Sequence, residues 1–213
     1  CYELCVPEPP EVTEIVDGSE LIRVIPLSEE YIELSEKYVY PLCYQGNNLL
    51  CSNWDTTTLS TLDYNGVYEY FYKMKYGEGL DPGNYSNGIP ATDFECVIME
   101  YLPVTAEQIR EWGVYDEETH TYAWERLGCG NYNLSYFGTS VPEVIGARQN
   151  DDGTMTLTVE AVCEMVIAND AVITHELTIR VNEDGSFQYW GNEILDDGIK
   201  NIPEYHYRIG SGD

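Results

Sequence analysis

Hydrophobic positions recur in two rhythms along this chain, one in its first half and another in its last third. From Thr154 to Cys163 they fall at every second residue: Met155, Leu157, Val159, Ala161 and Cys163 alternate with Thr154, Thr156, Thr158 and Glu160. Ile173, His175, Leu177, Ile179 and Val181 repeat the row against Thr174, Glu176, Thr178 and Arg180. A period of two with one apolar and one polar side describes an antiparallel sheet covered on a single face. Four strands are predicted, over about 141–149, 154–164, 171–181 and 186–194. Asn150-Asp151-Asp152-Gly153 and Asn182-Glu183-Asp184-Gly185 join them pairwise. Each suits a type I turn closing on a glycine with positive φ.

The first half repeats at helical spacing. Ser28 reads as the cap of a helix with Glu29, Glu30 and Glu33 in its first turns, where the helix dipole favours anions. Its apolar side carries Tyr31, Ile32, Leu34, Tyr38 and Val39, and it stops before Pro41. Leu59, Leu62, Val67, Tyr70, Phe71 and Met74 predict a second helix over 59–76, interrupted at Gly66. Pro90 opens a third over 91–101, and Thr105 caps a fourth over 106–112. The glycine-rich stretch 77–88 is a loop, and its Gly-x-Gly lacks the strand–turn–helix setting of a dinucleotide site. Val114-Tyr115 and Thr121 to Trp124 flank a small hairpin. Tyr205, His206, Tyr207 and Ile209 suggest a last short strand.

The expected fold class is therefore α+β. One domain over 27–213 packs N-terminal helices (about 27–113) on one face of a C-terminal antiparallel sheet of about four strands (about 141–209). By analogy it is a cone of the NTF2-like or cystatin-like kind. Residues 1–26, acidic and rich in proline, form a tether with an edge strand.

Composition narrows the partners. A chain of 213 residues that is 43% hydrophobic can bury a core, although 10 basic against 38 acidic residues leave a net charge of −28. That field repels phosphates and anionic headgroups, which argues against nucleic acid and leaves a membrane contact only through a lipid anchor. Cys1 is the candidate for acylation, weighed evenly against an ordinary first residue. No stretch approaches the ~20 apolar residues of a membrane span. The seven cysteines form no C-x-x-C pair and the three histidines are scattered, so neither a metal site nor a cofactor is expected. Several cysteines in an acidic chain read as disulfides of an exported protein. Cys43 and Cys51, on either side of a short loop, are the best pair, and the rest stay open.

Candidate chemistry is thin. Parity puts His175 on the apolar side, between Ile173 and Leu177. There it is either an acid or base lining a pocket or, as we favour, a core histidine bonded to a backbone carbonyl or a tyrosine. Trp190 falls on the polar side with Glu176 and Arg180, a stacking platform for a ligand. Among 38 acids some pair meets the spacing of a glycosidase by chance. Asp151, Asp152, Glu183 and Asp184 read as turn residues rather than as a calcium loop.

Three segments resemble those of uncharacterised lipoproteins of clostridial gut bacteria: the run from Ile89-Pro90-Ala91 through Tyr101-Leu102-Pro103-Val104-Thr105 to Arg110, the stretch Val114 to Thr119, and the stretch Thr178 to Asn192. The resemblance implies export, a lipid-anchored precursor and a Gram-positive cell surface, and it brings no functional residues. The expected function is a non-catalytic extracellular module that binds an unknown ligand or protein. The alternative is a secreted hydrolase acting on carbohydrate or peptide through carboxylates.

Overall fold

In the computed structural model the chain runs α1 (Glu29–Tyr38), β1 (Trp54–Asp55), α2 (Tyr64–Tyr76), β2 (Ile89–Pro90), α3 (Ala91–Tyr101), α4 (Ala106–Trp112), β3 (Tyr115–Asp116), β4 (Thr121–Tyr122), β5 (Glu143–Gln149), β6 (Thr154–Cys163), β7 (Ala171–Val181) and β8 (Phe187–Lys200). The structure describes residues 28–42, 44, 46–81, 83, 85, 87–126, 142–163, 171–200 and 205–210. The proposed tether, Cys1, Cys43 and the long connection before β5 lie outside these residues.

The alternating stretches form an open antiparallel sheet in the order β1-β8-β7-β6-β5. Register follows parity: Leu157 faces Leu177, Val159 faces His175 and Ala161 faces Ile173. The inward row of Val144, Leu157, Val159, Ala161, Ile173, His175, Leu177, Ile179 and Tyr189 is fully buried. Both tight turns have the expected form. Gly153 (φ 82°) and Gly185 (φ 84°) occupy the left-handed positions. Asp152 and Asp184 each accept the backbone N–H and hydroxyl of the residue two further on, Thr154 and Ser186. Those bonds hold both carboxyls below the usual range and occupy an oxygen of each.

The helices and the loop after α1 cover the inward face. The Ser35 hydroxyl accepts Val144 N–H at 2.9 Å, and the Tyr189 hydroxyl donates to the Tyr38 carbonyl at 2.8 Å. Phe71 of α2 stacks on Tyr189, and Tyr101 of α3 meets Phe187. The architecture is α+β, with N-terminal helices against an antiparallel sheet.

Four details differ from expectation. The sheet has five strands, because the two residues of β1 pair with Gly191 and Asn192 of β8. A second sheet, in the order β2-β4-β3, enlarges the predicted hairpin: Ile89 and Pro90 add to it as an edge. The helix expected over 59–76 is split into a 3-10 turn, Leu59–Thr61, and α2. Asp63 makes the break by capping α2, its carboxylate accepting Gly66 N–H at 2.8 Å. Finally, the tail residues 205–210 form no strand and dock on the start of α2.

Candidate functional site

Three places concentrate polar or titratable side chains, and only one faces outward from the sheet. The first surrounds His175. Burial of the inward row leaves no water for the imidazole, so protein groups must satisfy both nitrogens. Tyr44 OH lies 2.7 Å from Nε2 and Asn192 Oδ1 lies 2.6 Å from Nδ1. The Asn192 amide nitrogen donates to the carbonyls of Leu50 (3.2 Å) and Ser52 (2.9 Å), so its oxygen must be the acceptor. His175 therefore carries its proton on Nδ1, and Tyr44 donates to Nε2. Burial pulls its pKa down to about 4, with the Asn192 bond opposing. This is the tyrosine-bonded core histidine of the two readings. No carboxylate touches it, and it lies 0% exposed, so it is not placed to exchange protons with a ligand.

The second place holds the tail. Asp63 is buried and accepts the Tyr205 hydroxyl at 2.6 Å and Arg208 N–H at 2.7 Å. The Arg208 side chain is 0% exposed; its two terminal nitrogens bond Glu69 at 2.7 and 3.2 Å, and one also donates to the Glu125 carbonyl at 2.6 Å. Here the ions serve each other and the backbone. Arg110 does the same on α4, bonding the buried Glu95 carboxylate at 2.6 and 3.0 Å while Tyr122 OH donates to it. No periodicity announces Asp63, Glu69 or Arg208 as partners, because the tail lies about 140 residues from the helix in sequence.

The third place is the outward face of the large sheet, which brings together Glu176, Arg180 and Trp190 as parity expects. Trp190 is there through an irregularity: Thr178 faces Gly191 and Ile179 faces Tyr189, so Trp190 is an extra residue on β8. The Arg180 guanidinium carbon lies 4.5 Å from the centre of the Trp190 ring. Among the described residues that guanidinium makes no hydrogen bond and no ion pair; Asp152, in the β5–β6 turn, feels its charge without bonding it. Trp190 Nε1 is likewise buried without a partner. Beside them Arg148 of β5 grips Glu176 across β6, at 2.9 and 3.0 Å. Threonines fill the rest: Thr156 and Thr178 hydroxyls lie 3.3 Å apart, and Asn150 donates to Thr156.

This arrangement alters the role expected of Trp190. Its ring is not an open platform, since Arg180 already lies over it. The indole acts as a pedestal that holds the guanidinium, and a ligand would meet Arg180 first. Glu176 is committed to Arg148, a partner that parity alone did not identify.

The expected Cys43–Cys51 disulfide needs correction. Cys51 is a free thiol, its Sγ 3.7 Å from the Asn47 carbonyl and its pKa pushed up to about 12 by burial. Asn47 closes the loop instead: its amide donates to the Leu42 carbonyl at 3.1 Å, and its oxygen accepts Leu49 N–H. A side-chain amide that bonds both ends of the turn removes the need for a covalent tie. Cys96 is also a free thiol, on the exposed side of α3 beside Lys75. No helix among the described residues is long and apolar enough to cross a membrane.

A family model described as a family of unknown function (DUF6070) matches residues 1–208. No curated protein matches the chain, and no solved structure matches it.

Proposed function

The chain belongs to DUF6070, a family of unknown function, and we propose for it a non-catalytic binding module whose ligand docks on the outward sheet face at Arg180 and Trp190. One observation carries the reading. In a chain with 38 acidic residues, an arginine rests on an indole at 4.5 Å without a bonded carboxylate among the described residues. Arg110, Arg148 and Arg208 each hold a glutamate with two bonds. A guanidinium kept in place by an aromatic pedestal has donors to offer and little rotamer freedom left to lose on binding. The hydrolase alternative has no such support, because the one imidazole in the core is sealed and bonded on both sides.

A location outside the cell, on a lipid-anchored precursor, belongs to the same proposal. It draws on the resemblance to clostridial lipoproteins and on the acidic composition. Disulfides do not support it, since Cys51 and Cys96 are free.

The test is a screen of the wild-type chain against glycan and peptide panels, repeated with Trp190→Ala and Arg180→Ala. The expected result is a wild-type ligand whose affinity drops about tenfold or more in both variants, the size of a lost charge-assisted contact. A wild type that binds nothing, or variants that bind as well as it does, would end the proposal.

A further inference from the structure

We infer that the ligand of this face is a carbohydrate carrying carboxylates, gripped by the Arg180 fork; the inference rests on the binding-module reading above.

The face itself limits the ligand class. A peptide reader takes alternate side chains into apolar pockets or adds a strand at an open edge. This surface has neither at Arg180, which lies on a central strand, β7, paired on both sides. Apart from Trp190, its neighbours are Thr156, Thr178, Glu176 and Arg148, a flat field of hydroxyls and charges. Such a field suits a polyhydroxylated ligand, which gives and takes hydrogen bonds across a plane.

The donors select the charge. Arg180 offers a planar fork that fits two oxygens of one group, and Trp190 Nε1 is a buried donor lacking an acceptor. Both need acceptors and neither can accept. On the same face, Arg148 holds the Glu176 carboxylate in this two-bond geometry at 2.9 and 3.0 Å, so the surface already accommodates a carboxylate on a guanidinium. A carboxylate is also favoured over a phosphate by the surrounding field. At a net charge of −28, a dianion is opposed about twice as strongly as a monoanion, and a single fork offers it no further cation.

Binding of the full chain to three probes tests this: a uronic-acid oligosaccharide, its methyl ester, and a sulfated glucan. The free acid is expected to bind. Esterification and Arg180→Ala should each weaken it by about tenfold or more. Arg180→Lys, which keeps the charge and loses the fork, should recover only part of the loss. If the ester binds as tightly as the acid, or the sulfated glucan binds more tightly, the carboxylate inference is overturned and the module reading survives. The carboxylate inference also falls if none of the three binds while neutral glycans or peptides do. Silence across every panel removes both.

Discussion

The imidazole of His175 shows how far one side chain can be pinned. It occupies an apolar row, yet Tyr44 and Asn192 satisfy both its nitrogens. The folded pKa of about 4 lies below the unfolded value near 6.5, so the unfolded chain binds the extra proton between those limits. Stability from this group is complete above about pH 6.5 and falls as the pH drops toward 4, by roughly 3 kcal/mol in all. Carboxylate protonation acts in the same range, so the site-specific measurement is an NMR titration of the ring. His175 is expected to stay neutral, protonated on Nδ1, down to about pH 4; a midpoint near 6.5 would contradict the buried network. Parity alone locates His175 inside. It cannot reveal Tyr44, which lies 131 residues away.

At the scale of elements, α2 depends on what surrounds its first turn more than on its own propensity. Gly66 sits there with the Gly46 carbonyl only 2.3 Å from where a Cβ would be. Alanine normally favours a helix over glycine by about 1 kcal/mol. Here the clash is with backbone, which cannot swing aside, and forced overpacking costs about 1–3 kcal/mol. Gly66→Ala is therefore expected to lower the urea midpoint despite the better helix former. A midpoint equal to or above wild type would mean that the loop yields freely. In sequence, Gly66 reads only as an interruption of a helical pattern. The Asp63 cap was equally hidden there, because Leu59 and Leu62 continue the apolar spacing across it.

For the molecule as a whole, the tail acts as a clasp between the start of α2 and the segment after β4. Arg208 ties Glu69, the Gly66 carbonyl and the Glu125 carbonyl together while its guanidinium lies 5.7 Å from the Trp124 ring. Removing a buried partner strands the other charge, and Glu69 is 24% exposed, which softens the loss. Arg208→Ala is expected to destabilise the fold by about 2–4 kcal/mol in urea unfolding. Glu69→Gln in that background should cost little more, since the pair is already broken. Full additivity of the two changes would show that they do not act through each other.

Local pattern alone determined the class of fold. Alternation set the strands and their inward rows, the Asp-Gly turns set the hairpins, and start signals at Ser28, Pro90 and Thr105 set three of the four helices, each through interactions spanning only a few residues. It also placed Glu176, Arg180 and Trp190 on one face. Tertiary structure decided everything that depends on distant partners. It added β1 and β2, too short to carry a period of their own, and it assigned Glu176 to Arg148. It seated Arg208 in the interior and laid Arg180 over Trp190. A hydrogen bond or ion pair depends on spatial distance, and residues separated by scores of positions leave no periodic trace of being neighbours.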